Sequence, residues 1–209
     1  MRIRLKFSKT GPMQYVGHLD LHRSWERIFR RSGLLLAYSQ GFHPQPRLNL
    51  ACALPLGFTS QCEILDAWLE QDVPIDQIQE AVSNALPPGL KVLDLEIVDL
   101  QAPALQTQVT SSVYVITFFD EIPDLDDRLQ RVISADHLPR LRRNKSYDLR
   151  SLIEEIALIP QNDGGNYSIR VQLAAREAAT GRPEELLDVL GIKFEATHIH
   201  REKLILATN

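Results

Sequence analysis

From Arg2 to Phe7 apolar and basic residues alternate strictly, with Ile3, Leu5 and Phe7 on one side and Arg2, Arg4 and Lys6 on the other. Period-two alternation predicts a half-buried strand with a cationic outer face. After a Gly11-Pro12 turn the period changes. Leu21, Trp25, Ile28 and Phe29 fall at helical spacing, Asp20 is a candidate cap, and Gly33 is a candidate stop. Arg23, Arg27, Arg30 and Arg31 recur at i, i+4, i+7 and i+8 on the same helix, so four guanidinium groups share the side opposite Trp25. Leu34 to Ala37 reads as a short apolar strand. Residues 47–55 and 61–69 read as a hairpin joined through Pro55 to Ser60. Ile75, Ile78, Val82 and Leu86 predict a helix that stops at Pro87-Pro88-Gly89, and Val92, Leu95, Ile97 and Val98 a last strand. With Leu34 to Ala37 counted as an extension of the hairpin, the order is β-α-β-β-α-β, the ferredoxin-like arrangement.

A polar, small-residue, Pro-containing stretch, 101–111, follows and reads as a linker. Beyond it the order repeats, without obvious identity between the halves. A strand is expected over 113–119, a helix over 125–134, strands near 149–159 and 167–174, a short helix opened by Pro183, and a strand over 196–206. Leu152, Ile153 and Ile156 suit a helix equally well. The fold class expected is therefore α+β, with tandem ferredoxin-like domains at 1–100 and 112–209 built on antiparallel sheets. A chain of 209 residues accommodates two such small cores.

Charge changes this picture more than composition does. The formal net charge is −4, yet residues 1–60 hold nine Lys/Arg against Asp20 and Glu26, whereas residues 61–100 hold nine acids against Lys91. A basic block of this kind attracts phosphate or an acidic partner. Alternatively, the two blocks neutralise each other within the fold. There is no continuous apolar stretch of a secretory signal and no 18-residue apolar run, so the chain reads as cytoplasmic, with no membrane partner. Two cysteines, Cys52 and Cys62, exclude a disulfide framework and a four-thiolate zinc site.

Three segments carry candidate chemistry. His18 and His22 stand at i, i+4 around Asp20, a spacing that suits a metal in principle. The general base of H-E-x-x-H is missing, so capping and polar ligand contact are the readings kept, and no metal and no catalytic residue are assigned. His198 and His200 share one face of the final strand and read as surface positions. The segment 38–49 gathers Tyr38, Phe42, His43, Arg47 and Asn49 between prolines. Prolines reduce the entropy cost of fixing a loop, and aromatic faces beside an arginine suit unstacked bases; a loop covering a sheet edge would use the same residues. In the second half Arg140, Arg142, Arg143 and Lys145 form another basic cluster. The RNA-binding set expected is Arg23, Arg27, Arg30, Arg31, Tyr38, Phe42, His43, Arg47, Asn49, Arg142, Arg143 and Lys145.

As a set, Phe7-Ser8-Lys9-Thr10-Gly11, Tyr15-x-Gly17-His18-Leu19-Asp20, Arg23, Tyr38-Ser39-x-Gly41-Phe42-His43-Pro44-x-Pro46-Arg47 and Ala53-Leu54-Pro55-Leu56-Gly57 resemble the radical-SAM-linked proteins. That uncharacterised bacterial family is encoded beside, or fused behind, cobalamin-binding radical SAM proteins. The resemblance implies an accessory role to a radical enzyme. The chain itself lacks the three thiolates such a cluster needs. Three functions stay open: an accessory RNA-binding module in RNA modification, a protein-interaction subunit of the same enzyme, and a metal-independent endoribonuclease. The last resembles the CRISPR repeat-processing enzymes, with His18, His22 or His43 as general base, but residues 192–209 lack their glycine-rich loop.

Overall fold

The computed structural model describes residues 1–142, 144–159 and 167–207. They are α/β, with mostly antiparallel pairing, and divide into two compact units, Met1–Val109 and Thr110–Asn209. In the first unit the elements are β1 (Arg2–Lys9), α1 (His18–Ser32), β2 (Leu48–Leu50), β3 (Thr59–Trp68), α2 (Ile75–Ala85), β4 (Leu90–Val98) and the single turn α3 (Leu105–Gln108). The strands lie in the order β4-β1-β3-β2, every pair antiparallel. Ile3, Leu5 and Phe7 of β1 are fully buried in the core with Trp25, Ile28 and Phe29 of α1 and Ile78 and Val82 of α2. The Phe7 and Trp25 rings meet edge to face, 4.8 Å between centroids.

α1 begins one turn earlier than its spacing suggests. Gly17 is the N-cap and its carbonyl accepts the Leu21 amide at 2.8 Å, so Asp20 sits in the first turn, where a negative charge complements the helix dipole. Gly33 ends the helix at φ 73°, a left-handed conformation natural to glycine. Leu34 to Ala37 forms no strand; the segment contributes one bridge, Leu36 to Leu69. The stretch 101–111 is not a free linker. Leu105 is fully buried in α3, the carbonyls of Ala102 and Pro103 accept hydrogen bonds from Arg2, and the next strand already begins at Val109.

The outer face of β1 also departs from expectation. Arg2 is buried rather than solvated, Arg4 is mostly covered, and Lys9 is buried with its Nζ on the Gln14 and Phe58 carbonyls. The register sets Arg4 directly opposite Asp66 and Arg2 opposite Trp68, a pairing that alternation within β1 does not reveal.

The second unit contains β5 (Val109–Phe118), α4 (Leu125–Ser134), β6 (Pro139–Arg142), β7 (Lys145–Asp148), β8 (Ile153–Ile159), β9 (Ser168–Arg176), β10 (Ala179–Thr180), α5 (Pro183–Leu190) and β11 (Thr197–Leu206). Its main strands run β10-β9-β5-β11, with β8 also on β9. The β6-β7 hairpin is an insertion that the hydrophobic pattern does not announce. Ile153 and Ile156 lie in strand β8, so the strand reading of this stretch holds and the helical one does not; only a turn of 3-10 helix, Arg150–Leu152, precedes the strand. Among the described residues no helix is long and apolar enough to cross a membrane.

Candidate nucleic-acid interface

The arginines of α1 remain on the surface of the helix. Arg23, Arg27, Arg30 and Arg31 are all exposed, and no carboxylate of the acidic block 61–100 pairs with them among the described residues. Arg23 meets Asp20 of its own helix at 3.3 Å, an exposed pair of little energetic weight. Arg31 donates to the Ala85 carbonyl at the end of α2, an uncharged acceptor. Arg27 and Arg30 make neither a hydrogen bond nor an ion pair with a described residue. The helix therefore carries a row of exposed guanidinium groups of which only Arg23 meets a carboxylate, the Asp20 of its own first turn.

The basic strand behaves oppositely. Asp66, fully buried, accepts from Arg2 Nη2 at 2.6 Å and from Arg4 Nε at 2.7 Å. These are short charge-assisted bonds. The hydrogen bond that Arg4 donates to Asp66 raises the Arg4 pKa above its usual range, outweighing the desolvation that opposes it. The charge inversion along the sequence is thus resolved unevenly: the downstream acids neutralise β1 in part and leave α1 untouched.

Between α1 and β2 the chain forms a narrow hairpin. Tyr38 bridges Pro46, the Ser39 amide donates to the Gln45 carbonyl at 2.9 Å, and the Gln45 amide donates to Ser39 Oγ at 3.0 Å. This pairing fixes the stem and projects the tip, where Phe42 is 102% exposed and His43 and Tyr38 are also at the surface. Arg47 leaves the stem on the solvent side, 4.5 Å over the Trp68 ring, while Arg2 lies 4.9 Å from the same ring. Asn49, half-buried on β2, stands opposite Asp66 and lines a cavity there.

His22 lies between two acceptors, its Nδ1 3.0 Å from Glu26 Oε1 and its Nε2 3.1 Å from the Leu48 carbonyl. It ties α1 to β2, which is a scaffold role. His18 is half-buried at the first residue of α1, and Asp20 is exposed. Among the described residues no three His, Cys, Asp or Glu side chains cluster as a metal site would require. In the second unit Arg142 is clamped by Glu185 through contacts of 2.8–3.0 Å and stacks 4.9 Å from the Tyr147 ring, and Arg140 pairs with Asp188. These two arginines fasten the β6-β7 hairpin to α5, and the cavity of about 540 Å³ beside them is lined by the engaged Arg142, Tyr147 and Asp148 together with Lys145 and Ser146. Lys145 is exposed; Arg143 lies outside the described residues.

Sequence reasoning does not single out Asp66 or Trp68. Both sit in the strand stretch 61–69, and their roles come from residues on other segments, Arg2 and Arg4 for Asp66 and Arg2 and Arg47 for Trp68.

A family model described as an uncharacterized protein conserved in bacteria (DUF2344) matches residues 2–183. No curated protein matches the sequence. Among solved structures, a chain of a Cbf5-Nop10-Gar1 complex is similar with a TM-score of 0.52 at 10% identity, over 97% of this chain and 48% of that one. A chain from an H/ACA RNP bound to a substrate RNA containing 2′-deoxyuridine aligns at a TM-score of 0.48 and 11% identity, over 97% of this chain and 47% of that one. This chain spans about half the length of both.

Proposed function

We propose that this chain, which belongs to the uncharacterised bacterial family DUF2344, is an RNA-binding accessory module. The observation that carries the reading is the face of α1, where Arg23, Arg27 and Arg30 stand exposed with no carboxylate of the acidic block on them. A row of exposed guanidinium groups at helical spacing attracts anions, and on binding a polyphosphate backbone it releases the strand's counterions, the main source of sequence-independent affinity.

The hairpin tip supports RNA over an acidic protein partner. Phe42 presents its whole ring to solvent at a place where it packs on nothing, with Tyr38 and His43 beside it. An exposed aromatic is a stacking surface for an unpaired base, which single-stranded RNA offers. We read both units as ferredoxin-like repeats, on the shared strand order β4-β1-β3-β2 and β11-β5-β9-β8. The partner we assign is a cobalamin-binding radical SAM protein, with the pair acting in RNA modification; the motifs at residues 7–57 support it.

The test is to purify the intact chain, extract what it retains, and digest that material with ribonuclease or deoxyribonuclease. The expected result is nucleic acid that ribonuclease removes. A preparation free of nucleic acid that captures the radical SAM partner equally well before and after nuclease would overturn RNA binding in favour of a protein-interaction subunit.

A further inference from the structure

We propose that the cavity beside Arg47 is a pocket for the phosphate of one nucleotide of the bound strand, with Arg47 as its anchor. The inference rests on the RNA-binding reading and names the chemical group recognised at a second place on the same unit. The cavity measures about 380 Å³, and its polar lining is Arg2, Ser39, Gln45, Arg47 and Asn49, with Trp68 as a wall. No Asp or Glu lines it. That volume lies at the lower end of small-ligand sites, enough for a phosphate with part of its sugar.

Arg47 is held ready for an anion. Its guanidinium stacks on Trp68 at 4.5 Å, and the Trp68 amide donates to the Arg47 carbonyl at 3.1 Å, so side chain and backbone are fixed to the same residue. Its guanidinium N–H donors make no hydrogen bond with a described residue, while its backbone amide donates to the Ala37 carbonyl at 2.8 Å. A stacked guanidinium with its edge unengaged keeps its fork for bidentate recognition of phosphate, and ordering it on binding costs little. Arg2, across the indole on the neighbouring strand, is the contrast: its donors are taken by Asp66 and by the carbonyls of Asp99, Ala102 and Pro103. Asp66 faces the guanidinium groups of Arg2 and Arg4, and Glu96 stands opposite Arg4 on β4, so these two cations are balanced and the charge offered to an anion here is that of Arg47. Ser39, Gln45 and Asn49 add neutral donors around it.

The pocket is separable from α1. Arg2 and Trp68 alternate with Ile3 and Ala67, which face the core, so it opens on the side of the sheet away from α1 and α2, beside the start of α3 at Ala104.

Trp68 supplies the probe, because the only other tryptophan, Trp25, is fully buried in the core. The intact chain is titrated with adenosine 5′-monophosphate, with a short oligouridylate and with inorganic phosphate while intrinsic fluorescence is followed. The expected result is a saturable change with the nucleotide and the oligonucleotide, with inorganic phosphate at least about tenfold weaker. Arg47→Met should weaken the nucleotide by about tenfold or more, as loss of a charge-assisted pair does. Arg47→Lys, which keeps charge but not the fork, should fall between. A variant lacking the arginines of α1 should keep the response to adenosine monophosphate. No fluorescence change in the parent overturns the pocket without needing any variant. So does an Arg47→Met protein that titrates like the parent. Inorganic phosphate binding as tightly as the nucleotide would make this a free-phosphate site. RNA that binds with no Trp68 response and no effect of Arg47 would remove the pocket while leaving the RNA reading intact.

Discussion

Replacing Arg23, Arg27 and Arg30 together by glutamate reverses the exposed charge of α1 while leaving its buried positions, Leu21, Trp25, Ile28 and Phe29, as they are. Arg31 is left in place because it holds the Ala85 carbonyl at the end of α2. Each phosphate contact to a single strand contributes about 0.7 to the slope of log K against log salt, so losing three should flatten that slope by about 2. At about 0.1 M salt the same release amounts to about 1 kcal/mol per contact, hence about 3 kcal/mol and roughly a hundredfold in affinity. The fold should lose much less. Arg30 lies in the last turn, where a negative charge opposes the helix dipole at a cost of about 0.3–1 kcal/mol, and the Arg23–Asp20 pair is exposed. The assay is anisotropy of a labelled single-stranded RNA over a salt series, with circular dichroism as the control for folding. A folded triple variant with the parent's affinity and slope would show that α1 is not the RNA surface.

Phe42→Ala should leave stability within about 0.5 kcal/mol, since the ring packs on nothing, yet weaken RNA binding by about 1–3 kcal/mol, as removal of a stacked base does; equilibrium titration beside a thermal melt separates the two. Asp66→Asn keeps the side-chain shape but strands Arg2 and Arg4 without their buried counter-charge, and should lower stability by about 3–5 kcal/mol, read as an earlier midpoint in urea. Asp148 has its pKa lowered, first by the hydrogen bond with His137 and then by the amides of Leu138 and Arg150. The stability it lends the β6-β7 hairpin should be complete above the ordinary carboxylate range and fade as pH falls through the lowered value, seen as a loss of hydrogen-exchange protection, relative to the intrinsic rate at each pH, at Leu138 and Arg150. Asp148→Asn should abolish that pH dependence.

What could be read in advance was local. Trp25, Ile28 and Phe29 at helical spacing with Gly33 after them define α1 and the side on which its arginines emerge, because a helix's faces follow from the positions within it. Whether a cation on a strand stays free depends instead on what the next strand sets beside it. Arg4 meets Asp66 only through a register 62 residues long in sequence separation, so alternation suggested an open cationic face where the fold builds a buried ion cluster. Arg140 and Arg142 went the same way: a polar run became a hairpin whose arginines clamp Asp188 and Glu185 on α5. The stretch 101–111 looked like a linker because its residues are small and polar, and the buried Leu105 and the Arg2 contacts to its carbonyls are long-range facts. The hairpin 38–47 was visible as a dense group of aromatics, prolines and an arginine. Its stacking partner Trp68 was hidden, being one apolar residue at the end of an apolar strand.

The central claim, that RNA lies on α1 and on the hairpin tip, is tested most directly by where RNA attaches. The intact chain is irradiated with a single-stranded RNA carrying 4-thiouridine, and the cross-linked peptides are identified by mass spectrometry. Attachment at Tyr38, Phe42 or His43 and along residues 18–31, lost on raising the salt, is the expected result. Cross-links confined to residues 110–207, or none at low salt, would contradict it.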